Sequence, residues 1–99
     1  MMMSPAVRWH IFFSGQVQFV GFRYQACLLA KKLGLTGWVE NLGDGRVEME
    51  VQGSAGQIRK LLIALKDRRP IRIDRMEVRE IPPVPGEKKF GVKGYESVY

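Results

Sequence analysis

The sequence predicts an α+β fold: a two-layer sandwich with two helices packed on one face of a mostly antiparallel sheet. Three observations predict it. The hydrophobic period alternates between two and about 3.6 along the chain, in the order β-α-β-β-α-β with a further strand at the C-terminal end. A glycine-rich turn joins the two middle strands. The length of 99 residues, with 45% of them hydrophobic, suits one core and one domain.

The first strand covers residues 7–14. Val7, Trp9, Ile11 and Phe13 point one way, while Arg8, His10, Phe12 and Ser14 point the other. Phe12 on the second face implies that this face is also partly covered, as in a central strand. From Phe22 the period lengthens, and Phe22, Ala26, Leu29, Ala30 and Leu33 fall on one face of a helix. Lys31 and Lys32 complement the dipole at its C-terminal end, and Gly34 stops it.

Residues 37–42 are short and strand-like. Gly43-Asp44-Gly45 supplies turn chemistry. In residues 46–52, Val47, Met49 and Val51 then alternate with Glu48, Glu50 and Gln52, which completes a hairpin. Ser54 is a good N-cap, and Gln57 completes a capping-box pattern ahead of Ile58, Leu61, Leu62 and Leu65. Pro70 marks the exit from this second helix. Residues 71–81 read as a strand whose alternation changes parity between Ile73 and Met76, the sign of a bulge or of a late start. After the loop Pro82-Pro83-Val84-Pro85-Gly86, residues 90–99 supply the last strand, weakened by Gly91 and Gly94. The order is that of the ferredoxin-like, split βαβ arrangement. That fold hosts many activities and assigns none.

A net charge of +6 favours anionic partners, whether nucleic acid, a membrane surface or a small phosphorylated substrate. Arg68, Arg69, Arg72, Arg75 and Arg79 are interspersed with Asp67, Asp74, Glu77 and Glu80, so they read as a solvated mixed-charge face. The single cysteine, Cys27, excludes an intramolecular disulfide and points to a reducing, cytoplasmic setting. Its place in an apolar helix makes it a buried small hydrophobe rather than a nucleophile. No apolar run reaches the roughly 18–20 residues of a membrane span. Residues 1–6 read as a loose tail without the features of a signal peptide, leaving residues 7–99 as the domain. There is one histidine and no His/Cys/Asp cluster with metal-ligand spacing, so neither a metal nor a cofactor is expected. His10 reads as structural.

The stretch from Gly15 to Arg23, G-Q-V-Q-F-V-G-F-R, joins the first strand to the first helix. The first amides of a helix lack partners within it, and the dipole there is positive. A loop that curls its own N–H groups toward the same point forms an anion-binding nest. Gly15 and Gly21 permit unusual dihedrals, and the Arg23 fork matches a phosphate. From spacing alone the bland reading stands equally: Gly15 ends a strand, Gly21 lets a helix pack closely, and Arg23 is a solvated charge.

The string itself separates the two readings. It resembles the acylphosphatase signature, G-x-V-Q-G-V-x-F-R, through Gly15, Val17, Gln18, Val20, Phe22 and Arg23. A second family block, G-W-V-x-N followed by D/K-G-x-V, matches Gly37, Trp38, Val39 and Asn41, then Gly45 and Val47. Leu33-Gly34-Leu35-Thr36 before it and Gly94-Tyr95-Glu96 near the end also fit the family, so the resemblance covers about residues 7–99.

The resemblance implies hydrolysis of carboxyl phosphates to a carboxylate and inorganic phosphate. Arg23 would bind the phosphoryl oxygens, and the backbone amides of Gln18, Phe19, Val20, Gly21, Phe22 and Arg23 would cradle the same group. Gly15 would shape the loop. The Asn41 carboxamide would position the attacking water. The implied partner is a small acyl phosphate, with no nucleic acid and no membrane, and the implied state is a monomer.

One position departs from the family, which usually has glycine where this chain has Phe19. A positive φ there would strain the phenylalanine; any other backbone would let it project from the rim and alter access or substrate choice. Two other readings share the element order. One is a non-catalytic acylphosphatase-fold domain of the kind built into larger enzymes. The other is a basic RNA-binding module, against which Glu48 and Glu50 would repel phosphate from the third strand.

Overall fold

A computed structural model describes residues 5–94. The elements are β1 (Val7–Gln16), α1 (Phe22–Lys32), β2 (Thr36–Asn41), β3 (Val47–Gly53), α2 (Ala55–Lys66), β4 (Arg72–Ile81) and β5 (Phe90–Val92). They form a five-stranded sheet in the order β4-β1-β3-β2-β5. All its pairings are antiparallel except β2 with β5, which run parallel. The ferredoxin-like α+β expectation is therefore met, and β1 is a central strand. Of the strand expected over residues 90–99, Phe90–Val92 is formed; Tyr95–Tyr99 lie outside the described residues, as do Met1–Ser4 of the expected tail.

The core lies between the helices and one face of the sheet. Ile11 and Phe13 of β1, Val47, Met49 and Val51 of β3, and Val39 of β2 are completely buried. They meet Ala26 and Ala30 of α1 and Ile58, Leu61 and Leu65 of α2, all fully buried as well. These are the residues the two periods select. Cys27 is buried among them. Burial raises its pKa, against the weaker opposing pull of Lys31 and Arg23, so the thiol stays protonated and unreactive.

Two local expectations are refined. The parity change in β4 is a register shift: Ser14 pairs with Arg75 but Gly15 with Ile73, so Asp74 is the extra residue of a bulge. The capping box at α2 is half formed. Ser54 accepts from the Gln57 amide at 3.2 Å, but the Gln57 side chain donates to the Leu33 carbonyl at 3.3 Å rather than returning to Ser54. The reciprocal bond gives way to one that ties α2 to the end of α1.

The other sheet face carries a polar network. Arg8 is only 2% exposed, and its guanidinium donates to Glu50 at 2.8 Å, Glu87 at 2.8 Å and Gln52 at 3.1 Å. Burial disfavours its charge, but the bonds to Glu87 and Glu50 outweigh this and raise its pKa. Gln52 also exchanges two hydrogen bonds with the Val84 backbone, which fastens the proline-rich loop over this face. His10 Nε2 lies 2.7 Å from Glu48 and meets the Phe12 ring edge-on, so it is structural, as expected. On the sheet edge, Arg72 pairs with Asp74 and Arg75 with Glu77, the expected mixed-charge face.

Gly37 sits where β2 passes β3, at φ 134°, and a methyl group there would overlap the Glu50 carbonyl oxygen. Gly37→Ala is expected to destabilise the fold by more than about 2 kcal/mol, because the sheet must part or the backbone must leave its conformation. Urea denaturation measures this as a lower midpoint at unchanged slope.

Candidate functional site

The site begins where β1 leaves the sheet. Gly15, at φ 129°, lies against the β4 bulge, and a side chain there would strike the Arg72 carbonyl. Only glycine lets the chain turn this closely. Two buried side chains then pin the loop: Val17, 1% exposed, and Phe22, 2% exposed, whose ring packs at 4.8 Å from Phe13. Between them Gln18 reaches across to the β2–β3 turn. Its side-chain amide donates to the carbonyls of Leu42 at 2.7 Å and Arg46 at 2.9 Å. The turn is itself held by Asp44, whose carboxylate accepts from the Arg46 amide at 3.1 Å and its guanidinium at 2.8 Å.

The loop backbone is left-handed at alternate positions, with φ 60° at Phe19 and 79° at Gly21. The structure thus decides the open question at Phe19: its φ is positive, and it is the only described non-glycine residue for which this holds. Such a conformation costs about 1–2 kcal/mol for a residue with a Cβ. The Phe19 side chain is 98% exposed.

Gly21 is the N-cap of α1, without a side-chain cap, and no acidic residue stands in the first turn. The first bond back into the helix runs from the Gln25 amide to the Gly21 carbonyl at 3.0 Å. The preceding amides have no acceptor within the helix. With the dipole they give this end of α1 a positive character that no neighbouring carboxylate in that turn offsets.

Asn41 is the last residue of β2, opposite Val47. Its Oδ1 is buried and has no hydrogen-bond partner among the protein atoms. A buried carbonyl oxygen without a protein donor is uncommon, and Gln25 Oε1 of α1 shares that state.

These parts meet in a cleft of about 200 Å³ lined by Val17, Phe19, Gly21, Phe22, Arg23, Tyr24 and Asn41. It adjoins a wider, shallower depression lined by Phe19, Arg23, Glu40, Asn41, Lys93 and Gly94. Of the residues singled out in sequence, Arg23, Asn41, Phe19, Gly21 and Phe22 line the cleft. Gln18, Val20 and Gly15 do not; they shape the loop from behind. Sequence reasoning missed the side-chain clamp of Gln18, which treats the β2–β3 carbonyls as its own acceptors. It also missed Tyr24 and Lys93. Tyr24 is the residue after Arg23, so its nearness was readable, but Lys93 arrives only through the parallel docking of β5 beside β2.

Among the described residues, no group of three or more His, Cys, Asp or Glu is placed to hold a metal ion. No helix there is long and apolar enough to cross a membrane.

The fold and the cleft together define a small ferredoxin-like α+β protein in which Arg23 and Asn41 line one cleft at the N-terminal end of the first helix. Comparison with known proteins narrows this class. The acylphosphatase family model matches residues 9–92. An acylphosphatase of Clostridium beijerinckii is 39% identical over 88 residues, covering 88% of this chain and 98% of the relative. The crystal structure of acylphosphatase from Bacillus subtilis superposes with a TM-score of 0.79 at 33% identity, over 87% of this chain and 97% of that one. Full-length HypF, in its phosphate- and nucleotide-bound form, contains the same fold at a TM-score of 0.81 and 32% identity. The match covers 94% of this chain and 12% of HypF. This chain belongs to the acylphosphatase family.

Removing the Gln18 clamp is expected to loosen the loop while leaving the core intact. Gln18→Ala should lower kcat/KM for an acyl phosphate by about ten- to a hundredfold, since misplacement of about 1 Å is enough to cost that much. Steady-state kinetics beside a thermal melt separate this from unfolding.

Proposed function

We propose that this protein is an acylphosphatase that hydrolyses small acyl phosphates to a carboxylate and inorganic phosphate. One observation carries the reading: Arg23 and Asn41, from different elements, line one cleft at an uncapped helix N-terminus behind a left-handed loop. The Arg23 guanidinium and the amides from Gln18 to Arg23 receive the phosphoryl oxygens. The Asn41 carboxamide, at the same cleft, orients the attacking water toward phosphorus.

In the reaction a bond forms between the water oxygen and phosphorus. The bond from phosphorus to the acyl oxygen breaks, and its electron pair leaves on the carboxylate. The water's proton passes to the phosphate. A carboxylate leaves readily without protonation, and a carboxamide orients water but is no strong base. Charge stabilisation and positioning carry the rate, as is general for phosphoryl transfer.

The setting proposed with this activity is cytoplasmic and monomeric, without a nucleic-acid or membrane partner. The buried thiol of Cys27 is compatible with a reducing compartment. The polar network over β1 and β3, with the Arg46 guanidinium 4.4 Å from the Phe12 ring centre, leaves little aromatic surface for stacking bases. The second reading is a non-catalytic acylphosphatase-fold domain, since the same fold also forms one part of full-length HypF.

Hydrolysis of acetyl phosphate by the wild-type protein, with chelator present, decides between them. Catalysed release of phosphate is expected. Phosphate binding without turnover would favour the non-catalytic domain.

A further inference from the structure

Two features of Phe19 have no use in folding. Its ring is 98% exposed, so it contributes nothing to the core, and its backbone holds a left-handed conformation that glycine would adopt without strain. Strain of this kind persists where function uses it. The ring also stands at the meeting point of the two depressions that share Arg23 and Asn41. A second observation points the same way. Among the described residues only two aromatic side chains are exposed, Phe19 and Tyr24, the latter at 57%, and both line the Arg23–Asn41 cleft. The remaining Phe and Trp residues are buried or half-buried. Exposed aromatics gathered at one cleft mark a contact surface, and flat rings prefer offset or edge-on partners that are also flat.

We infer that Phe19, with Tyr24, forms an aromatic ledge beside the phosphate cradle that selects acyl phosphates whose acyl group bears an aromatic ring. The inference rests on the acyl phosphate reading and names its substrate class. A phosphoryl group seated against Arg23 leaves the acyl group at the rim, where Phe19 stands. An acetyl group is too small to cover the ring. A benzoyl group, planar and conjugated with its carbonyl, has the area and the shape to lie against it, and stacking removes apolar surface of both from water.

The test uses stable mimics, so the unequal reactivity of the substrates does not enter. Binding of benzoylphosphonate and acetylphosphonate to the full chain is measured by calorimetry for wild type, Phe19→Gly, Phe19→Asn, Phe19→Tyr and Tyr24→Ala. The readout is the ratio of the two dissociation constants within each protein. Wild type is expected to bind benzoylphosphonate at least tenfold more tightly. The preference should fall to about twofold in Phe19→Gly and in Phe19→Asn, the latter because asparagine keeps a Cβ and tolerates the backbone but lacks the ring. It should persist in Phe19→Tyr and weaken in Tyr24→Ala. Circular dichroism shows that each variant is folded; should Phe19→Gly fail to fold, the other three variants and the wild-type ratio still decide. A wild-type preference below twofold, or one unmoved by loss of the Phe19 ring, overturns the ledge. Turnover assays on the same wild-type protein keep the two ideas apart. A preference for the aroyl mimic without hydrolysis of either acyl phosphate would sink the enzymatic reading and leave the ledge as a binding feature.

Discussion

Arg23→Ala is expected to lower kcat/KM for acyl phosphates by at least a thousandfold with the fold intact. Arg23 is the second residue of α1 and lines the cleft, outside the core cluster. Its guanidinium brings a full positive charge to a helix end whose first amides have no acceptor within the helix. The charge that builds on the phosphoryl oxygens is what such a group stabilises, and a single arginine in that place is worth about 10³–10⁵ in phosphoryl transfer. Arg23→Lys should recover little, since an ammonium keeps the charge but loses the planar fork. Because the side chain is not part of the core, thermal melts of both variants should stay within a few degrees of wild type. A large drop in melting temperature would mean that Arg23 is structural.

Asn41→Ala is expected to lower kcat by a hundred- to a thousandfold, with KM nearly unchanged. The side chain is assigned to the water rather than to the substrate, so the loss belongs to the chemical step. The same change should leave stability equal or slightly higher. In the folded protein Asn41 Oδ1 is buried with no hydrogen-bond partner among the protein atoms, and alanine removes the atom. Activity lost while stability is kept or gained is the mark of a residue placed for function. Asn41→Ala that melts well below wild type, or that raises KM alone, would contradict the assignment.

The fold was legible because its elements obey local rules. The strict alternation of Val47, Met49 and Val51 and the helical stripe Ile58, Leu61, Leu62 and Leu65 each name their buried face, and all seven side chains are buried. The β4 bulge was readable as a parity change, though not the identity of Asp74 as the inserted residue, which depends on pairing with β1. The half-formed capping box escaped because the competing acceptor, the Leu33 carbonyl, lies on another helix. The parallel docking of β5 beside β2 is likewise set by tertiary contact, and with it the arrival of Lys93 at the site.

The site divides in the same way. Arg23 and Asn41 were found through their place in two sequence blocks, not through any property of either residue alone. Nothing local to Asn41 says that it ends a strand facing the loop after β1; that follows from β3 lying between β1 and β2. Phe19 shows the limit most clearly. Its departure from the family pattern was visible, but the sign of its φ was not, because glycine, asparagine and strained residues are distinguished only by the backbone they occupy.

In the proposed reaction, water oriented at Asn41 attacks the phosphorus of an acyl phosphate held by the Gly15–Arg23 loop. Hydrolysis of acetyl phosphate by the wild-type protein in ¹⁸O-labelled water tests it most directly, with the isotope located in the products by mass spectrometry. One labelled oxygen is expected in the inorganic phosphate and none in the acetate. Label in the acetate would place the attack at the carbonyl carbon and contradict the roles given to Arg23 and Asn41, and no catalysed release at all would contradict the activity itself.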